Sequence, residues 1–498
     1  MKNNLLDIDH LSQKAAFGIK LRDQNKFDEA KINFQELVFE YHNHWYPKFL
    51  LGSLETEYGN YENAIYLLEK SLELNPSNID TYSNLGNCYE VTNNYQNLIN
   101  LYSRIVIFTN QEGDKKNHIK FMKKLADAYI QIGEIKNGIS TYKKIIKLDP
   151  DDLPIYYELN ELKAITLDKK LKNRIKKISK KKSKTYNQDV FINFLESKYE
   201  RANKNYKKEF DFLKKAHNII LQRNKSSLHE AINQKVTKHR DLINHYSGSY
   251  EISILKNERE SISPIFIVGL PRSGSTLLEK ILLKGDTNLV PGEETGIIES
   301  ILYKISPDNS VQTQINDITN LVIKEYEQRN LLNFKNKISF TDKSLGNFFC
   351  IGWVKKIFPN SKIINIKRDP MASFVSIFRS NLVYIPWAHN IYDICEQIDR
   401  YYKITNEWEK KYNIEIYHLE YENLINNFDE ETKKLFSYCN LKWHSNLKKD
   451  TNNSNFVSKT RSKIQVREPI YSKVNLEYRE LAKFFYQYAA KYDWYKEL

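Results

Sequence analysis

Phe27, Tyr61 and Tyr95 stand 34 residues apart, and each opens a segment of the same texture: "KFDEAKINFQELV", "NYENAIYLLEKSLELNP" and "NYQNLINLYSRIV". A period of that length marks paired helices, in which each unit buries its apolar faces only by stacking on its neighbours. The small residues agree. Gly52, Gly86 and Ala126 fall where the first helix of a pair presses on the second, Ala30 and Ala64 face them from the second helix, and Pro76 and Pro150 close two of the units. The spacing predicts four units between about residue 13 and residue 165, the third stretched by an insertion near "NQEGDKKN".

This pattern resembles the tetratricopeptide repeat. Arrays of that kind bind peptides or proteins along a concave surface, so the resemblance implies a peptide or protein partner, with a spacer or dimerisation arm as the plainer role.

The 498 residues leave room for more than one core. With 41% hydrophobic and 28% charged residues, and no apolar run of membrane length, the chain reads as soluble, without a transmembrane segment. "MKNNLLDIDHLSQKAAFG" has too short an apolar core for a signal peptide, which makes a cytoplasmic location the expectation. A net charge of +14 favours acidic partners: phosphate-bearing ligands, acidic peptides, nucleic acid or an anionic membrane. Cys88, Cys350, Cys395 and Cys439 form no C-x-x-C pair and read as reduced, buried thiols. The eleven histidines show no H-E-x-x-H spacing, so no metal site is expected.

From Asp168 to Lys184 runs "DKKLKNRIKKISKKKSK". No aromatic residues interleave it to stack on bases, so it reads as a solvated helix face or linker rather than a specific nucleic-acid site. A further helix pair follows. The texture changes again near Ser261, where "SPIFIVGL" has the length of a buried strand and "STLLEKILL" places Leu277, Leu278, Ile281 and Leu282 at helical spacing. "KISF", "KIINIK" and "IEIYHLEY" read as further strands. The expected order is a repeat array over 1–165, a basic helical linker with one more helix pair over 166–255, and over 256–498 an α/β domain with a mainly parallel sheet and a site at the strand carboxyl ends.

Strand, glycine turn and helix together make a phosphate loop, but not that of a nucleotide hydrolase. Read against G-x-x-x-x-G-K-[ST], Gly269 and Gly274 hold the glycine places and Thr276 the hydroxyl, while Ser275 stands where the lysine belongs. A triphosphate enzyme needs that lysine to reach the β- and γ-phosphates. Here the cation has moved inside the loop as Arg272. The expected ligand is shorter, two linked anionic centres of which one is transferred and one leaves.

"PIFIVGLPRSGSTLLEKILLKGDTNLVPGEETG" resembles the sulfotransferases, most of all the branch of the tyrosylprotein sulfotransferases and of bacterial proteins with tetratricopeptide repeats ahead of the catalytic domain. The resemblance runs in scattered blocks over roughly residues 262 to 475. It implies 3′-phosphoadenosine-5′-phosphosulfate as donor, no metal, and a hydroxyl acceptor, protein tyrosine among the options. It implies that Pro271, Arg272, Ser273, Gly274, Ser275, Thr276 and Leu277 wrap the 5′-phosphosulfate, with Arg272 meeting charge on the leaving phosphate. Glu294, in "PGEETG", matches the catalytic base, with neighbouring Glu293 open to confusion with it. Lys343, in "FTDKSLGNF", matches a lysine near the bridging oxygen. Arg368 and Ser376, eight residues apart in "IKRDPMASFVSIFRS", match the pair that grips the 3′-phosphate. "HLEYENLI" matches a structural strand-to-helix segment, and "TRSKIQVREPIY" the late loop over the nucleotide, with Arg467 and one of Ser462 or Lys463 near the 3′-phosphate. An ATP-dependent kinase or hydrolase and a non-catalytic repeat scaffold are the rival readings.

Overall fold

The computed structural model describes residues 2–246, 252, 254–286, 288–304, 311–452, 470 and 476–496. It divides into two compact units, residues 1–141 with 324–330, and residues 142–323 with 331–498.

The first unit is the helical array: α1 (Lys2–Asp23), α2 (Phe27–Glu40), α3 (Trp45–Glu57), α4 (Tyr61–Leu74), α5 (Ile79–Val91), α6 (Tyr95–Gln111), α7 (Lys115–Gln131) and the start of α8 (Ile135–Leu148). Small residues stand where helices touch, because a β-carbon there would enter its neighbour. A β-carbon on Gly52 would lie 2.8 Å from Leu68 Cγ, and one on Gly86 would enter the Tyr102 ring. Ala30 and Ala64 are fully buried. The first pair follows the same rule: Gly18, 34 positions before Gly52, packs in the same way on Phe34.

The second unit opens with the end of α8, α9 (Leu153–Glu161), α10 (Lys169–Ser179), α11 (Tyr186–Ala202) and the 39-residue α12 (Tyr206–Asn244). The basic run forms α10, capped by Asp168 and burying only Leu171, Ile175 and Ile178, so most of its lysines face solvent. α12 is seated on the α/β domain. The Trp353 indole donates to the Leu242 carbonyl at 3.0 Å, the His217 ring stacks on Phe378, and Arg379 meets Glu209 at 2.7 Å.

The sheet has five parallel strands in the order β2-β3-β1-β4-β5: β1 (Ile265–Gly269), β2 (Leu289–Pro291), β3 (Ser339–Asp342), β4 (Lys362–Lys367) and β5 (Tyr417–Glu420). All of β1 and the four inner residues of β4 are buried, as expected of strands covered on both faces. The short β2 ends in a proline and carries no periodic signal. The chain leaves β1 toward β2 on one side and β4 lies on the other, so the carboxyl end of β1 is a switch point where a crevice opens. All four cysteines are buried and free. Among the described residues no helix is long and apolar enough to cross a membrane, and no cluster of three His, Cys, Asp or Glu side chains could hold a metal ion.

Candidate active site

β1 runs into the glycine turn and then the helix Ser275–Leu282. Arg272 and Gly274 both take left-handed backbone, φ 70° and 100°, which bends the loop back over the start of that helix. Gly274 is required twice over, because a β-carbon there would also collide with the ring of Tyr421. Arg272 donates Nε–H to Ser376 Oγ at 3.2 Å, and Arg368 Nη1 donates to the Arg272 carbonyl at 2.7 Å. The Arg368 guanidinium also lies 5.1 Å from the centre of the Tyr421 ring, and its buried Nε has no hydrogen-bond partner.

Asp369 caps the helix Pro370–Phe378, accepting from Ala372 N at 2.8 Å. Its own N–H donates to Glu422 at 3.3 Å, and Tyr478 Oη donates to its carboxylate at 2.6 Å. Ser376 is therefore delivered by a helix whose first turn is held from two sides. Glu422 stands in the first turn of the helix Tyr421–Asn426, which follows β5 directly.

The second group forms between β2 and β3. Glu293 takes φ 55°, is buried, donates its N–H to Glu279 Oε1 at 3.1 Å and accepts from Lys343 N at 2.7 Å. Its neighbour Glu294 has a side chain 55% exposed and lines the cavity, which separates the two glutamates by position. Lys343 is wholly buried, with Nζ 3.5 Å from Glu294 Oε1 and 3.6 Å from Glu279 Oε2. Asp342 ties the turn together, accepting from Thr295 Oγ1 at 2.6 Å and from Ser344 N at 2.7 Å.

Burial pushes the Glu279 carboxyl above the ordinary carboxylate range, against the pull of Lys343, the Thr341 hydroxyl and the Glu293 N–H. Burial alone would make Lys343 lose its proton more readily. The carboxylates of Glu279, Glu294 and Glu293 outweigh that and hold its ammonium above the usual lysine range, so it is charged at neutral pH.

Arg272, Gly274, Glu294, Arg368, Ser376 and Tyr421 line one cavity of about 720 Å³. Pro271, Ser275, Thr276 and Leu277 line it too. Ser273 is turned inward, 1% exposed, its Oγ without a hydrogen-bond partner. Lys343 lies beneath the surface rather than on it. Arg467, Ser462 and Lys463 lie outside the described residues. Two residues of the site escape sequence reasoning: Glu279, whose only signal is a charge on the buried side of "STLLEKIL", and Tyr421, which local spacing presents as an ordinary strand-end aromatic.

Comparison with known proteins bears on the same regions. An uncharacterized protein of Aquifex aeolicus (strain VF5) is 24% identical over 386 residues, covering 74% of this chain and 49% of that protein, so the chain spans about half the length of that relative. Among solved structures, the sulfotransferase domain of the Synechococcus PCC 7002 olefin synthase covers 45% of this chain and 95% of its own, at 16% identity and TM-score 0.30. MamA from Desulfovibrio magneticus RS-1 covers 31% and 85%, at 17% identity and TM-score 0.27. Residues 52–91 match a TPR repeat model, 112–152 a tetratricopeptide repeat model and 264–445 the model of the sulfotransferase family. The chain thus carries a sulfotransferase-family domain over residues 264–445, behind an array of tetratricopeptide repeats.

Proposed function

We propose that this chain transfers a sulfuryl group from 3′-phosphoadenosine-5′-phosphosulfate to a hydroxyl acceptor, in one direct displacement without a covalent enzyme intermediate. The observation that carries the reading is the meeting of Arg368, Ser376 and Arg272 at the glycine turn, in one cavity with Glu294. A loop that lacks the triphosphate lysine, holds Arg272 within itself and has Arg368 bonded to its backbone suits a donor with a 3′-phosphate better than a nucleoside triphosphate. The residues fit such a ligand: Arg368 keeps a guanidinium N–H without a partner, and the loop N–H groups and the start of the helix Ser275–Leu282 favour an anion.

The donor supplies the sulfuryl group and departs as 3′-phosphoadenosine-5′-phosphate with the electron pair of the broken bond. Glu294 takes the proton of the acceptor hydroxyl. Arg272 supplies positive charge within the loop, and Lys343 supplies it from below, steadied by Glu279. Arg368 and Ser376 hold the 3′-phosphate. The repeats serve as a docking surface for a peptide or protein.

Thermal melting with 3′-phosphoadenosine-5′-phosphate, against ATP with magnesium, tests the reading. Stabilisation by the former alone is expected; preference for ATP with magnesium would replace this function with a kinase or hydrolase. The Glu294→Ala variant is expected to bind the donor product and to lose transfer.

A further inference from the structure

α12 turns one face to the cavity. Ile232, Lys235, Val236 and His239 line it at spacings of three, one and three residues, yet the helix lies upstream of the stretch that matches the family model. The segment bearing Glu294 is clamped to this helix. His239 Nε2 lies 2.6 Å from Glu299 Oε1, Lys235 Nζ lies 2.9 Å from the same oxygen, and the His239 ring stacks on Phe349. Glu299 follows Glu294 by five positions, and Glu294 lines the same cavity as the α12 face. Ile232 and Val236 are half-buried there, as are Pro386 and Trp387 of the same cavity, and Tyr384 stands 95% exposed at it.

The charges of these walls are already matched. Arg201 lies 2.9 Å from Glu477, Arg379 2.7 Å from Glu209 and Lys235 2.9 Å from Glu299. Lys198 pairs with Glu161, and Arg400 lies 3.9 Å from Glu396. Outside the donor loop and Arg368, every cation lining the cavity among the described residues faces a carboxylate. The net charge of +14 steers anions toward the molecule from a distance, but among the described residues no spare cation stands at this wall.

We propose that α12 is the acceptor wall, and that the acceptor it takes is an uncharged hydroxyl compound with an apolar body rather than a tyrosine among acidic residues. Half-buried apolar side chains gain by being covered, whereas acidic neighbours of a tyrosine would meet carboxylates whose cations are engaged. The inference rests on the chain being a sulfotransferase of the kind described above.

The test uses the full chain with 3′-phosphoadenosine-5′-phosphosulfate and two acceptors: 2-naphthol, and a tyrosine peptide flanked by aspartate and glutamate. 2-Naphthol is expected to show a kcat/KM at least tenfold above the peptide. Val236→Asp and Ile232→Asp, both at half-buried positions, are expected to raise the KM for 2-naphthol about tenfold, with the Kd of 3′-phosphoadenosine-5′-phosphate unchanged by calorimetry. A peptide that equals or exceeds 2-naphthol, 2-naphthol left untransferred by an enzyme that binds the donor product, or variants with unaltered KM would each overturn the proposal. Absence of donor-product binding to the unmodified chain would instead remove the function on which it rests.

Discussion

Arg272 and Ser376, 104 positions apart, are joined by a hydrogen bond of 3.2 Å from guanidinium Nε to hydroxyl Oγ. The bond links the loop after β1 to the helix after β4, so the residues assigned to the two ends of the donor touch each other. Ser376→Ala removes a hydroxyl that faces both Arg272 and the cavity. It is expected to weaken binding of 3′-phosphoadenosine-5′-phosphate roughly tenfold, the scale of one hydrogen bond to a charged group. Arg368→Ala, which also frees the Arg272 carbonyl and uncovers Tyr421, is expected to cost more. Isothermal calorimetry on both variants checks the order.

Glu279 and Lys343 are both wholly buried. Glu279→Gln leaves the lysine with exposed Glu294 as its nearest carboxylate, and breaking such a buried pair from one side costs about 3–5 kcal/mol. Adding Lys343→Met should recover much of that loss, because no charge is then left stranded. Urea unfolding of the single and double variants provides the comparison; equal stabilities would show that the pair bears no weight.

Gly274 and Gly296 both have positive φ, 100° and 64°, but only Gly274 has a neighbour in the way. Gly296→Ala is expected to cost about 1 kcal/mol for the left-handed backbone alone. Gly274→Ala should cost clearly more and abolish donor-product binding, since Tyr421 must move. Melting temperatures of the two variants, measured side by side, decide whether the ring contact matters.

His217 and His389 are buried, with their Nδ1 atoms 3.0 Å apart. Burial lowers His217 to about 3, helped by its neighbour, and His389 to about 4, against an ordinary value of 6.5. A base whose affinity for protons is lower folded than unfolded contributes stability above its unfolded value and loses it as the pH falls toward its folded value. Stability should therefore drop between pH 6.5 and pH 4, by at most about 1.4 kcal/mol per pH unit for each histidine. Urea midpoints at pH 7 and pH 5 measure the slope, and His217→Gln with His389→Gln should flatten it.

Much of this molecule is legible in single stretches of sequence. The aromatic spacing of 34 and the glycines in step with it announce the repeats, because each helix pair meets its neighbours in the same way. The strand, glycine turn and helix around Gly269 and Gly274 are likewise local, as are β3, β4 and β5. β2 was not legible: three residues held mainly by β3 carry no pattern of their own. Neither was the α12 wall, since a basic, polar helix looks like a linker until it is seen seated on Trp353 and Phe378.

The sequence by itself determined the repeats, the parallel α/β domain and a glycine turn between strand and helix without a lysine at its end, because each rests on periodicity or on backbone that only certain residues adopt. Tertiary structure alone decided that Glu294 reaches the cavity while Glu293 and Lys343 are buried, that Arg272 meets Ser376, and that α12 lines the same cavity. Those facts depend on contacts between residues tens to more than a hundred positions apart, and no local propensity encodes which distant side chain will lie across a cavity.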